Sequence, residues 1–243
     1  MDGLLAYFTQ VGFGPTGWGL PLLRAASMTV AVSLSAFGVG IVFGIFGCWA
    51  KLSRSVVAQG VATVYTTVLR GIPDLLVIYL LYFGGSQAIG MIARLLGHQG
   101  FFGLNGFVVG MMAVGIISGA YQTEVLRGAY LAIPKGELEA ARVAGMGRLL
   151  MLRRIVAPQT LRFALPGMGN VWQLILKESA LISVVGLIEI MNQTRLAVGR
   201  TGAAFSFYIT GAILFLVITT MSGAVFRRAE AWAMRGMGGR VKS

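Results

Sequence analysis

Four polar side chains interrupt apolar runs of this chain: Asp74 at the head of a run ending near Ile92, and Gln173, Lys177 and Glu178 inside a run from Arg162 to Ile190. An ionisable group near a bilayer centre costs about 2.5–3.5 kcal/mol on insertion scales, and such groups face a cavity or a partner. Carboxylates on a cavity wall attract cationic solutes, and a polar wall lets the solute shed water in steps. Asp74, Gln173, Lys177 and Glu178 are therefore the candidate lining of a path across a membrane. Lys177 and Glu178 are adjacent, so on a helix they point about 100° apart and do not face each other. An ion pair between Lys177 and Asp74 across the bundle is the purely structural alternative. Glu124 lies nearer the end of its own run, three residues before Arg127, and reads as a brace for that or a nearby arginine.

Other chemistries are poorly served. The single histidine, His98, excludes a His–His metal site, and the single cysteine, Cys48, excludes an intrachain disulfide. Neither a catalytic residue nor a metal site is expected. No G-x-x-x-x-G-K-[ST] stretch occurs, so the chain has no phosphate-binding loop of that kind. Gly12-Phe13-Gly14-Pro15-Thr16-Gly17 fits G-x-G-x-x-G, but no strand precedes it and it reads as a loop.

These residues need a membrane-embedded frame. Of 243 residues, 56% are hydrophobic and 12% charged, about half the charge of a soluble domain, and mean hydropathy is +0.80. The net charge of +12 would suggest nucleic acid in a soluble protein. In a membrane protein it marks basic residues flanking spans on the cytoplasmic side, and no nucleic-acid partner is expected.

Apolar runs at Pro21–Ala50, Leu75–Ile92, Phe107–Glu124, Arg162–Ile190 and Phe205–Phe226 read as five spans. Ser55–Leu69 is moderately apolar and reads either as a surface segment or as part of the bundle. Arg70-Gly71-Ile72-Pro73-Asp74 breaks the helix before the second span, a feature tolerated where backbone lines a cavity. Gly40/Gly44, Gly106/Gly110 and Gly115/Gly119 are small-residue pairs suited to close helix contact. Asn192–Ala204 reads as an outer loop. On this placement about fourteen of the twenty basic residues fall inside. The expectation is an all-α polytopic membrane protein with the N-terminus out and the C-terminus in. Residues 1–20 form an N-terminal periplasmic or interfacial segment, 21–227 the transmembrane domain and 228–243 a basic cytoplasmic tail.

The longest basic interval broken by Gly and Pro is Glu137–Gly169. A short Ala-rich helix near Glu137–Ala144 stops at Gly145, suited to left-handed geometry after a helix end. A second, near Arg148–Ala157, meets Pro158, which ends or bends it. The spacing Glu139-Ala140-Ala141, Gly145, Ile155-Val156-Ala157-Pro158 resembles the E-A-A docking loop of membrane subunits of ABC importers, with Ala157 where that pattern prefers Leu. The resemblance implies the type I ABC importer transmembrane fold. It also implies a docking loop over about 128–161, with Glu139, Ala140, Ala141, Gly145, Ile155 and Pro158 meeting an ATP-hydrolysing subunit.

Arg70-Gly71-Ile72-Pro73 resembles the R-G-x-P phrase of polar amino-acid permeases, and Asp74 after it is similar to subunits serving basic amino acids and opines. Asn170, Trp172 and Gln173 resemble the Q-type subunit of the histidine/lysine/arginine/ornithine permease group. That likeness implies a bacterial inner-membrane permease that carries polar, basic amino acids or opines. Its partners would be two ATPase subunits, a homologous M-type permease chain, a periplasmic substrate-binding protein and lipid. The chain itself would hold no cofactor; ATP and Mg would be bound by the partner ATPase. The alternatives are a secondary transporter driven by an ion gradient, which intramembrane carboxylates also suit, and a membrane-embedded enzyme.

Overall fold

The computed structural model describes residues 10–14, 17–95 and 105–235. Most of the 1–20 segment, His98 and the tail residues Arg240 and Lys242 lie outside the described residues. Every regular element among the described residues is helical.

The frame is a pair of long helices, α1 (Gly19–Leu52) and α5 (Gly106–Leu131). At about 1.5 Å per residue, each exceeds the roughly 30 Å of bilayer hydrocarbon. Gly40, Gly44 and Gly47 recur on the buried stripe of α1. A β-carbon on Gly44 would lie 2.8 Å from Gln122 Cβ and 3.3 Å from the Gln122 backbone, and Gly47 abuts the Thr123 side chain in the same way. The fit is reciprocal. A β-carbon on Gly115 would meet Val39 Cγ1 at 2.6 Å, and one on Gly119 would meet Phe43 Cβ at 2.6 Å. Each helix thus receives side chains of the other in its own glycine gaps, so packing contacts replace the missing hydrophobic drive between helices in lipid. Gly106 and Gly110 do the same for the segment Ser179–Val185.

This contact is testable. Gly44→Val drives a branched side chain into Gln122 and its backbone, and overpacking of this kind costs about 1–3 kcal/mol. Gly38, on the same helix, has open space where its β-carbon would go. Gly44→Val is expected to lower the melting temperature of the detergent-solubilised protein, whereas Gly38→Ala leaves it unchanged or higher. Equal melting temperatures for the two variants would contradict a close α1–α5 seam.

Helix α2 (Val56–Gly71) starts at Ser55, whose hydroxyl accepts from Ala58 N at 3.4 Å. It packs on α5 through Ala62, Thr66 and the Tyr65 hydroxyl, which donates to Ile116 O at 2.7 Å. Its valines at 56, 57, 61, 64 and 68 stay exposed. The segment is therefore in the bundle on one face and open on the other. Ile72 and Pro73 are extended, as a proline and its predecessor demand. The chain then restarts as α3 (Asp74–Tyr79), a π-helical turn (Leu80–Gly84) and α4 (Gly85–Leu95).

After α5 come α6 (Lys135–Val143), α7 (Arg148–Met151), a π-helical turn (Leu152–Val156) and α8 (Ala157–Glu178). Pro158 does not end the helix. The wider turn just before it absorbs the hydrogen bond that a proline cannot make, and the rod continues through Pro158 and Pro166. The expected span Arg162–Ile190 is not one helix: α8 stops at Glu178 and a 3₁₀ segment, Ser179–Val185, follows up to Gly186 at φ 85°. Ser179 Oγ, donating to Leu176 O at 2.7 Å, helps close that end.

The expected loop at Asn192–Ala204 folds largely as helix α9 (Ile190–Thr201). Buried Glu189 caps it, accepting from Met191 N and Asn192 N at 2.9 and 2.7 Å. Buried Ile190, Gln193, Thr194 and Ala197 keep a helical period that the polar composition obscures. Finally α10 (Ala204–Ala233) runs past the expected end at Phe226, because Arg, Glu and Ala after it are good helix formers.

Among the described residues four helical stretches are long and apolar enough to cross a membrane: Gly19–Leu52, Asp74–Met91, Gly106–Leu131 and Ala204–Ala233. Helix α8 is more polar and packs between α5 and α10. Val32, Ala36, Ile78, Ala113, Val114, Val171, Ile175 and Ile182 form the main core, drawn from α1, α3, α5, α8 and the 3₁₀ segment. A triangle of Phe37, Trp172 and Phe226, with ring centroids 5.7–6.3 Å apart, ties α1 and α8 to α10. Large apolar side chains such as Phe46, Trp49, Val61 and Leu216 remain exposed on the outside, as suits a surface facing lipid or another membrane chain.

Candidate functional site: an exposed helix and a charged cluster in the bundle

Helix α6 is amphipathic and short. Ala141 is buried, whereas Glu139 and Ala140 are exposed on the opposite side. Its end is a paired closure: Met146 N donates to Ala141 O and Gly145 N to Arg142 O, both at 3.0 Å, with Gly145 at φ 74°. That geometry is the Schellman motif, and it explains the glycine at this position. Glu137 accepts a hydrogen bond from the Gln159 side chain, tying α6 to the first turn of α8. Ile155 and Pro158 are half-buried at the start of that rod. Around the exposed Glu139 and Ala140 lie Val143 and Leu149, 90% and 78% exposed. Val143 was not anticipated from sequence; a large apolar residue in the last turn of a polar helix, two residues before its closing glycine, is the signal that could have found it. The segment is an exposed apolar and basic knob with one exposed acidic group, Glu139, built on a helix that Glu137 ties to a long rod.

Inside the bundle the structure brings together Asp74 and Glu178. Glu178 is 5% exposed; among the described residues its carboxylate oxygens meet no N–H or hydroxyl donor, and the Asp74 carboxyl lies within hydrogen-bonding reach. The Asp74 carboxyl is its charged neighbour. Asp74 stands at the first turn of α3, directly after the Ile72–Pro73 break, and Glu178 at the last residue of α8 before the 3₁₀ turn. Both positions are helix ends held at depth by packed neighbours. Tyr121 of α5 lies in the field of both carboxylates and of Arg70, whose guanidinium sits 5.2 Å from the Tyr121 ring centroid. Arg70 entered the sequence reading only as part of the helix break, and Tyr121 was missed; the break at Gly71–Pro73 was the available signal for Arg70.

The other candidates are elsewhere. Lys177 is exposed and makes no ion pair with Asp74; among the described residues the ion pairs are Lys51–Glu124 and Arg127–Glu124. Lys177 points about 100° from Glu178, as adjacency on a helix requires. Gln173 lies five residues before Glu178, on the side of α8 that meets Gly223 of α10. It is not gathered with the carboxylates.

A cavity of about 400 Å³ is lined by Lys51, Thr66, Thr67, Arg70, Gly71, Tyr121 and Glu124; it shares Arg70 and Tyr121 with this cluster but is not lined by Asp74 or Glu178. At its rim Glu124 is shared. It accepts from Lys51 Nζ of α1 and from Arg127 Nε at 2.9 Å. Glu124 is thus the brace for Arg127 and also a clip between α1 and α5.

A family of known proteins accounts for this architecture. The profile of the binding-protein-dependent transport system inner membrane component matches residues 25–233. The chain is 58% identical over 231 residues to the octopine transport system permease protein OccQ of Rhizobium radiobacter, covering 95% of this chain and 98% of that one. It is 37% identical over 209 residues to the histidine/lysine/arginine/ornithine transport system permease protein HisQ of Escherichia coli, covering 86% of this chain and 91% of that one. Among solved structures it superposes on a chain of an amino acid ABC transporter crystallised with histidines. There the TM-score is 0.75, identity is 28%, and coverage is 88% of this chain and 94% of that one. The fold is that of type I ABC importer permeases, and the relatives are themselves named as permeases. With a family match running from α1 to the end of α10, this chain belongs to the binding-protein-dependent transport system inner membrane components, as a multi-pass ABC importer permease.

Proposed function

We propose that the chain forms the translocation path for a basic amino acid or opine and couples it to ATP hydrolysis by a separate subunit. The observation that carries the substrate class is the buried Glu178, without an N–H or hydroxyl donor among the described residues, beside Asp74. A buried carboxylate with no protein cation is costly, and a cationic ligand completes it. The names of the octopine and basic amino-acid relatives support the same class. Coupling runs through α6 and the rod behind it, with Glu139, Ala140, Ala141, Gly145, Ile155 and Pro158 as the docking residues. The chain carries no cofactor of its own; ATP and Mg belong to two partner ATPase subunits. A second, homologous permease chain and a periplasmic binding protein complete the importer in a bacterial inner membrane, with this chain's N-terminus out and C-terminus in. The basic knob at α6–α7 and Arg227 and Arg228 on α10 fall on the cytoplasmic side in that orientation.

The test is uptake of labelled arginine or octopine into proteoliposomes that hold the whole importer, with binding protein outside and ATP inside. Uptake is expected to stop when ATP is omitted and to survive collapse of ion gradients. Uptake that persists without ATP would remove the coupling assignment. ATP-driven uptake of neutral but not basic solutes would remove the substrate assignment.

A further inference from the structure

We propose that Arg70 is the carboxylate-reading end of the substrate site, so that the site recognises both poles of a basic amino acid rather than its cationic end alone. The proposal rests on the basic-substrate reading of Asp74 and Glu178. Arg70 ends α2, one residue before the helix breaks, and Asp74 opens the helix after it. The two charges therefore stand on either side of one chain break. Tyr121 lies between them, in the field of Asp74 and Glu178 on one side and under the Arg70 guanidinium on the other.

Arg70 forms no ion pair among the described residues. The acids that could have held it are engaged elsewhere. Glu124 is taken by Lys51 and Arg127, and Asp74 faces Glu178. Resting on the Tyr121 ring orients the planar guanidinium by a cation–π contact. It also leaves the N–H edge free, and that edge matches a carboxylate bidentately. The guanidinium lines the 400 Å³ cavity rather than a packed interface. The Arg70 side chain is exposed, oriented by Tyr121 and without a carboxylate of the chain among the described residues, so an anion from outside the chain can reach it along the cavity wall. A basic amino acid supplies one, at the end opposite its cation.

Arginine and its decarboxylated analogue agmatine separate the two poles. Equilibrium binding of each to the purified full importer, without binding protein, is the measurement. Wild type is expected to bind arginine about tenfold more tightly than agmatine, the worth of a charge-assisted hydrogen bond. Arg70→Gln is expected to lose that preference while binding agmatine as wild type does, which also reports an intact fold; Arg70→Lys keeps part of it. Glu178→Gln is expected to weaken both ligands.

If wild type binds the two ligands alike while Glu178→Gln weakens both, the acid pair keeps its role and Arg70 loses the one proposed here. If Arg70→Gln weakens both ligands equally, its role is structural and the proposal is overturned. If arginine binding is unchanged in Arg70→Gln but copurifying anionic phospholipid falls, the guanidinium serves a lipid phosphate, which also overturns it. If wild type binds neither ligand, the basic-substrate reading fails first and takes this one with it.

Discussion

Glu139→Lys is expected to abolish coupling between transport and ATP hydrolysis while leaving the isolated chain folded. Glu139 is exposed on α6 and makes no hydrogen bond or ion pair among the described residues. An exposed substitution away from such contacts changes stability by no more than about 0.5 kcal/mol, so the melting temperature of the solubilised protein should hold. The surrounding knob already carries Arg142, Arg148, Arg153 and Arg154. Glu139 is the anionic group on its exposed face, and an isolated charge of this kind sets orientation and register against a cationic partner. Reversing it juxtaposes like charges, a penalty of several kcal/mol, which at about 1.4 kcal/mol per tenfold amounts to roughly a hundredfold loss or more. Stimulation of ATPase activity by loaded binding protein, and copurification of the ATPase, should both fall by that order. Glu139→Gln should lose much less, because it removes attraction without adding repulsion. Normal copurification and transport in Glu139→Lys would show that the ATPase docks elsewhere.

Glu178→Gln should produce the second large effect, in the opposite balance of stability and activity. The carboxylate is buried with no N–H or hydroxyl donor among the described residues. Replacing it by an isosteric amide removes an uncompensated charge, so stability is expected to stay level or rise. Uptake of a basic substrate should nevertheless fall. An interaction with a charged group is worth about 1.5–3 kcal/mol, or roughly ten- to a hundredfold in affinity. Asp74→Asn should act in the same direction but less strongly, since Asp74 is half-exposed. On the proposed reading the two carboxylates hold one ligand, so the double variant should lose less than the sum of the single losses. Basal ATP hydrolysis should hardly change in any of them. A fall in melting temperature that tracks the loss of uptake would mean instead that Glu178 serves the fold.

These two predictions differ in how far they could be drawn from the sequence. The helix proposed for docking was legible almost whole as local structure. Glu139-Ala140-Ala141 and Gly145 are close in sequence, and a helix closed by a left-handed glycine is a local event that its own residues determine. The membrane character was equally legible, because span length and hydropathy are summed along the chain. The small-residue pairs of α1 and α5 were visible for the same reason.

Where the reading missed, the deciding force was not local. Pro158 was expected to end or bend its helix; it does not end it, because the π turn at Leu152–Val156 leads on into the helix through Pro158. Asn192–Ala204 was expected to be a loop, and a buried Glu189 cap with packing of Ile190 and Ala197 made most of it a helix. The site itself depended most on tertiary structure. From the sequence, Asp74, Gln173, Lys177 and Glu178 are equal candidates. Each step along a helix turns a side chain by about 100°, so which of them meet is set by how each helix is rotated about its axis. In this chain the glycine seam between α1 and α5 sets the frame against which α3 and α8 pack. That packing places Glu178 beside Asp74, leaves Lys177 exposed, turns Gln173 towards α10 and brings in Tyr121 and Arg70. Composition and spacing determined that this chain crosses a membrane and carries a short, glycine-closed helix at Glu139. Only the packing of its helices decided which charges face one another inside it.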